Sequence, residues 1–261
     1  MKTEGIKINE DAAKILNEQD NNFPKGSFAA WYGEDLSGQT YEGDLDCSNK
    51  KLTSLFGCPS IVTGYFDCSY NKLTSLEGSP KEVGESFYCY NNRLTSLKGV
   101  PEKVRRSFNC SHNQLTSLEQ SPEKVGESFY CYNNRLTSLK GAPQKIGGGF
   151  YCSRNKLTSL EGAPKEVGED FHCSCNRLTS LEGAPKEVGR YFSCSNNQLT
   201  SLKGAPKEVG RDFDCYHNRL TSLEGAPKEV GGSFYCYDNK LASLKGISEV
   251  KGGIYSDLDF I

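Results

Sequence analysis

The sequence predicts a solenoid, a fold in which short and nearly identical coils stack along one axis. Two observations carry this prediction. Ten of the 12 cysteines lie 21 residues apart, from Cys47 to Cys236. The residues around them also recur, as in GESFYCYNNRLTSLKGVPEKV at 84–104 and GESFYCYNNRLTSLKGAPQKI at 126–146. A fixed period near 20 residues is typical of coils that cannot bury an apolar face alone and do so by stacking.

Each coil is predicted to begin with a short strand. Phe87 and Cys89 alternate with Tyr88 and Tyr90, which is the period-two pattern of a strand buried on one face. We therefore expect Phe and Cys to point into the core and the two tyrosines to point out.

The rest of each coil is predicted to turn and return to the next strand. Asn92 follows the strand at a point where its amide can bond to turn backbone, and equivalent Asn residues should form an internal ladder. Leu94, Leu97 and Val104 bring apolar side chains back to the core. Because Thr, Ser, Gly and Pro interrupt this run, we expect an extended or 3-10 path there.

The repeat resembles a known family. The motif F-x-C-x-x-N-x-L is similar to the strand consensus of leucine-rich repeats, with Phe and Cys in two of the leucine positions. The following L-T-S-L-x-G-A-P-x-x-V looks like the short repeats of bacterial type III secreted ubiquitin-ligase effectors, although one more residue separates Val from Phe here. The arrays also look like bacteriophage and bacterial proteins of unassigned role.

The resemblance implies a right-handed leucine-rich-repeat superhelix. Its parallel concave sheet would contain about ten strands, and its convex side would be extended or 3-10. Residues 1–41 are predicted to form an N-terminal cap with a small helix starting near Asn9, residues 42–251 ten repeats, and residues 252–261 a capping strand. That final edge is a candidate for self-association, so the chain is predicted to be a monomer or a dimer through it.

Composition excludes several classes of protein. The formal net charge is -2, so a large phosphate-binding surface, and with it nucleic-acid binding, is disfavoured. No run approaches the roughly 20 apolar residues of a membrane span, and the first residues contain no signal-peptide core. We expect a cytoplasmic protein without cofactors.

Catalytic and metal chemistry is not predicted either. A single file of cysteines does not converge on one ion, so the ladder is interpreted as small buried hydrophobes, with Cys175 the candidate for an exposed reactive thiol. The histidines, His112, His172 and His217, lie in different repeats and cannot form one catalytic group. Only 25 residues follow Cys236, so no ligase domain and no enzyme activity are expected.

The predicted concave face is rich in tyrosine, which supplies stiff contact area with a polar end and is enriched in protein-binding sites. We therefore predict a protein partner on this face. The candidate contact residues are Tyr65, Tyr88, Tyr90, Tyr130, Tyr132, Tyr151, Arg154, His172, Tyr191, Asp214, Tyr216, Tyr235 and Tyr237. A phage or bacterial inhibitor of a host or defence protein is the role that the resemblance suggests.

Two alternatives remain open. The residue after each ladder Asn forms a mostly basic column, here called the basic edge, which could bind an anionic ligand or a nucleic acid. Its members are Lys51, Lys72, Arg93, Gln114, Arg135, Lys156, Arg177, Gln198, Arg219 and Lys240. The other alternative is a structural protein that assembles through its C-terminal edge strand.

Overall fold

A computed structural model describes residues 23–258. The chain winds into coils that contribute one two-residue strand to each of two parallel sheets of 11 strands. We call the first the aromatic sheet, because nine of its strands begin with Phe. Its strands are β2 (Leu45–Asp46), β4 (Phe66–Asp67), β6 (Phe87–Tyr88), β8 (Phe108–Asn109), β10 (Phe129–Tyr130), β12 (Phe150–Tyr151), β14 (Phe171–His172), β16 (Phe192–Ser193), β18 (Phe213–Asp214), β20 (Phe234–Tyr235) and β22 (Ile254–Tyr255).

The second sheet, called the valine sheet, lies on the return path of each coil. Its strands are β1 (Thr40–Tyr41), β3 (Ile61–Val62), β5 (Glu82–Val83), β7 (Lys103–Val104), β9 (Lys124–Val125), β11 (Lys145–Ile146), β13 (Glu166–Val167), β15 (Glu187–Val188), β17 (Glu208–Val209), β19 (Glu229–Val230) and β21 (Glu249–Val250). The predicted leucine-rich-repeat solenoid is confirmed, but the prediction missed this sheet. In most coils the Val follows two polar or charged residues and precedes Gly, so no alternation of apolar and polar residues marks this strand in the sequence.

The core is a set of stacked columns between the two sheets. Each Phe column member from Phe66 to Phe234 is fully buried, as are the ladder cysteines. Neighbouring phenyl rings lie 5.0–5.8 Å apart between centroids. Two Leu columns and the Val column complete the interior. Because each ring packs on the same ring of the next coil, the interior accepts almost no variation in volume.

The predicted Asn ladder is present and connects successive coils. Asn155 Nδ2 donates to the carbonyl oxygens of Cys131, Cys152 and Ser153 at 3.0, 3.1 and 3.3 Å. Its Oδ1 accepts from Leu136 N at 2.9 Å. One side chain thus satisfies buried backbone groups in its own coil and in the preceding one.

A left-handed turn follows the second Leu of each coil and explains the repeated Gly. Gly141 has φ +93°, and a Cβ there would lie 2.4 Å from Leu118 O. Gln120 occupies the same turn position one coil earlier with φ +67°. A non-glycine residue in this conformation stores backbone strain.

Helix α1 (Phe28–Tyr32) covers the first coil. Ser27 Oγ accepts from Ala30 N at 3.1 Å, and Gly33 ends the helix with φ +92°. Phe28 is fully buried and its N donates to Ser54 O at 3.1 Å. The helix predicted to start near Asn9 lies outside the described residues.

The other end of the array closes with β22.

Within the described residues no helix is long and apolar enough to cross a bilayer. The predicted domain limits and the predicted dimerisation through the C-terminal edge stay predictions.

Candidate protein-binding face

Three outward columns of the aromatic sheet carry all but one of the predicted contact residues. The pre-Cys column directly precedes the ladder Cys, the post-Cys column directly follows it, and the entry column lies three residues before it. The pre-Cys column holds Tyr88, Tyr130, Tyr151, His172, Asp214 and Tyr235; the post-Cys column holds Tyr90, Tyr132, Tyr216 and Tyr237; the entry column holds Tyr65 and Tyr191. All twelve are half-buried, so each presents one side to solvent.

Arg154 is the exception among the predicted residues. It lies one residue beyond the post-Cys column, in the turn that leaves the strand, with φ +55°, and is exposed. Its backbone N bonds to Ser174 O at 2.9 Å. The side chain therefore stands beside the tyrosine columns rather than within them.

The centre of the face is a stack of three rings. Tyr130 and Tyr151 are 4.7 Å apart and 8° from parallel, and His172 continues the stack 5.1 Å from Tyr151. Tyr132 meets Tyr130 edge-on at 6.5 Å. Strand pairing places these pre-Cys residues in register, so the stack follows from the coil period.

Hydrogen bonds at the entry column hold this stack. Tyr151 Oη donates to Asp170 Oδ2 at 2.9 Å, and Asp170 Oδ1 accepts from Tyr191 N at 3.3 Å. Burial, followed by the bond to Asp170, raises the pKa of Tyr151 well above its ordinary value. Burial lowers the pKa of His172, against the opposing effect of Asp170. The side chains of Tyr151 and His172 are therefore uncharged at neutral pH.

The two ends of the face combine rings with carboxylates. At one end Tyr65 lies 6.2 Å from Tyr88, and Asp67, two residues after Tyr65, pairs with Tyr88. At the other end Tyr216 stacks on Tyr237 at 4.7 Å, beside Asp214. Two small residues, Ser193 and Ser195, separate this end from the central stack and are buried.

Tyr255 belongs to the face and was missed. It is not among the candidate contact residues predicted from the sequence, but it pairs with Tyr235 and stacks on that ring at 4.7 Å and 8°. The tenth coil is one residue short, since Phe234 pairs with Ile254, 20 residues later. The missing residue lies in the GISEV segment, where other coils have G-A-P-K-E-V, and that spacing was the available signal.

The cysteines behave as a buried ladder. All are free thiols, and burial raises the pKa of Cys89 and its ladder neighbours well above the ordinary value. Cys175 is half-buried, and its suggested reactivity stays a prediction. Over the part of the chain that the structure describes, no group of His, Cys, Asp or Glu could hold a metal ion.

The histidines in the turns make local contacts. His112 Nε2 lies 3.2 Å from Asn133 Nδ2, and His217 Nδ1 lies 3.2 Å from Asp238 Oδ2. Within residues 23–258, no hydrogen bond joins the ring of any of the three histidines to a hydroxyl or thiol group. An open depression of about 900 Å³ lies on the valine sheet, lined by backbone glycines and by lysine and glutamate side chains.

The basic edge is free of ion pairs in the described chain. Its eight Lys and Arg side chains are exposed, and none of the nine ion pairs of residues 23–258 includes one of them.

The period, the parallel pairing, the two Leu columns and the Asn ladder define a short leucine-rich-repeat solenoid. No protein-family model and no curated protein matches the sequence. Among solved structures, YopM from Yersinia enterocolitica WA-314 is 17% identical over 94% of this chain and 73% of that one, with a TM-score of 0.35. The functional domain of InlJ from Listeria monocytogenes, described as including a cysteine ladder, is 20% identical over 85% of this chain, with a TM-score of 0.46. The chain spans 53% of the length of that InlJ domain.

Proposed function

We propose that the chain is a non-enzymatic protein-binding module whose working surface is the outward face of the aromatic sheet. The observation that carries this proposal is a contrast between columns. The inward position two residues before each ladder Cys is Phe in nine coils. The pre-Cys column, one residue before the Cys, instead changes among Asp, Tyr, Asn, His and Ser. Stacking of the coils requires Phe at the inward position but sets no such requirement on the pre-Cys column. The side chains of the pre-Cys column can therefore match the shape of one partner.

The rings on this face suit such a role. They are rigid because they stack on one another, and they keep one face or edge in solvent. Ordering them on binding therefore costs little side-chain entropy. The resemblance to phage arrays makes a bacterial host or defence protein the first partner to test.

The test is affinity capture from a bacterial lysate with identification by mass spectrometry. The variant carries Tyr130→Asn and Tyr132→Ser, which are the residues that coil four itself places in these columns at Asn109 and Ser111. A control variant replaces Lys98, Lys140 and Lys203, which lie in a different column of the coils, by Gln. We expect a stoichiometric partner to bind the native chain and the control, and to be lost from the tyrosine variant. Equal capture by all three chains would contradict the proposal.

A second candidate function is favoured by the unpaired basic edge, which could follow the charges of an extended anionic polymer. Its test replaces Arg135, Lys156 and Arg177 by Gln, the residue that this column already carries at Gln114 and Gln198. Gln114 N and Arg135 N make the same 2.9 Å backbone bond to the preceding coil, so the fold should not change. Binding that falls steeply with salt and is lost in this variant would favour the anionic ligand.

A further inference from the structure

Asp214 is a half-buried carboxylate without a cation. It lies in the pre-Cys column, paired with Ser193 on one side and Tyr235 on the other. None of the nine ion pairs among residues 23–258 includes it. A like charge adds to the cost of this burial, since Asp212 directly precedes the strand that carries Asp214.

Stacked tyrosines stand on two sides of this carboxylate. Tyr216 and Tyr237 stack at 4.7 Å and 7°, and Tyr235 and Tyr255 stack at 4.7 Å and 8°. The face of an aromatic ring attracts a cation, and a guanidinium group both stacks on rings and bonds to a carboxylate in its plane.

In the protein without a partner, burial disfavours the ionised form of Asp214. Burial, with a further contribution from Asp212, raises the pKa of Asp214 to about 6, although a hydrogen bond from Ser193 opposes the shift. A carboxylate that is partly removed from water without a partner is unfavourable until a cation arrives. Asp67 repeats the arrangement at the other end of the face, where burial also raises its pKa and Tyr65 and Tyr88 flank it.

We propose that Asp214, Tyr216 and Tyr235 form a subsite that receives an arginine side chain of the protein partner. The partner surface that meets this end of the face is therefore basic. The inference rests on the proposed function, because it assigns chemistry to one part of the same face.

The experiment uses the full chain and two peptides, acetyl-Gly-Arg-Gly-amide and its citrulline equivalent, which has the same shape without the charge. Carbon-13 NMR of aspartate-labelled protein reports the pKa of Asp214, identified by its absence in Asp214→Asn. We expect the arginine peptide to lower this pKa from about 6 toward the ordinary value of about 3.9 and to shift the ring signals of Tyr216 and Tyr235. The citrulline peptide should do neither.

The pH dependence supplies a second readout. The groups facing Asp214 are Asp212 just before its strand, Tyr235 on the next strand and Tyr216 and Tyr237 beside it, with the His217–Asp238 pair in the adjoining turn. Since Asp214 with a pKa of about 6 is about one-tenth ionised at pH 5, arginine-peptide affinity should be about tenfold weaker at pH 5 than at pH 7.5. The His217→Gln chain should retain this dependence and the Asp214→Asn chain should lose it.

Two controls separate the possible failures. Asp35→Asn, which changes a carboxylate outside the aromatic sheet, before the first coil, should bind the arginine peptide like the native chain. An unchanged Asp214 pKa up to the solubility limit of the peptide, or equal binding of the citrulline peptide, would overturn the subsite. Partner capture that still depends on Tyr130 and Tyr132 would then leave the proposed function standing.

Discussion

The inward and outward columns of the aromatic sheet follow opposite rules although they alternate along the same strands. Phe129 and Tyr130 are adjacent, yet the Phe column is the same in nine coils and the pre-Cys column differs from coil to coil. An interior ring must fill the space left by the rings above and below it, whereas an outward side chain meets no such requirement. The Phe column is constant because its rings stack on one another. The pre-Cys column varies because its side chains lie outside this stack, and its surface could therefore acquire a binding role.

The largest expected effect tests this contrast within one strand. Phe129→Ala removes a fully buried ring between Phe108 and Phe150 and should lower the free energy of unfolding by about 4 kcal/mol. Tyr130→Asn should lower it by about 1 kcal/mol or less, because coil four carries Asn109 at that position. Urea denaturation followed by circular dichroism measures both, and similar losses would show that the outward column is structural too.

The Asn ladder gives the next largest effect. Asn155→Ala leaves Leu136 N without its acceptor and removes one of the two side-chain donors to each of the Cys131 and Cys152 carbonyl oxygens, so it should cost about 2–3 kcal/mol of unfolding free energy. Asn196→Gly is the control, because Asn196 is exposed in a left-handed turn with φ +54° that Gly accepts. The same denaturation series should find the control near native stability. An equal loss of unfolding free energy in both variants would show that the ladder Asn contributes no more to stability than an exposed turn Asn.

Asp214→Asn should stabilise the protein, which is the opposite of an interior substitution. The folded-state pKa of about 6 lies above the unfolded value of about 3.9, so the ionised group destabilises the fold as pH rises through that window. After allowance for solvent screening, we expect a gain of about 1 kcal/mol at pH 7.5 and none at pH 4. Denaturation of the native chain and of Asp214→Asn at the two pH values tests the sign of this change in unfolding free energy. A loss at pH 7.5 would mean that the carboxylate supports the fold and is not held for a partner.

The smallest effect lies in the turn after the second Leu. Gln120→Gly should raise the unfolding free energy by about 0.5–1 kcal/mol, because Gln120 has φ +67° where other coils have Gly. Gly141→Ala is the reciprocal change and should be destabilising, since its Cβ would lie 2.4 Å from Leu118 O. Melting temperatures of the two variants should move in opposite directions.

The limits of prediction follow from the same contrast. The Phe, Cys, Asn and Leu columns could be predicted from the sequence because each side chain makes the same contact in every coil. The structure of one coil therefore applies to the others. Tyr255 could not be placed by counting in steps of 21, since a single missing residue between Gly246 and Glu249 shifts the register by one from Glu249 onward. The backbone hydrogen bonds that Asp44 and Asp212 accept from Tyr65 N and Ser233 N join neighbouring coils, and the repeat does not predict them because few coils carry Asp at that position.

The sequence by itself determined the coil, its period, the inward and outward sides of the aromatic strands and the Asn ladder. These features depend on contacts that are local or repeat at a fixed interval, so the pattern of residues contains them. Only the tertiary structure decided the valine sheet, the stack of Tyr130, Tyr151 and His172, and the burial of Asp214 without a cation. Those properties arise between coils, where ring orientation and removal from water depend on the neighbouring side chains.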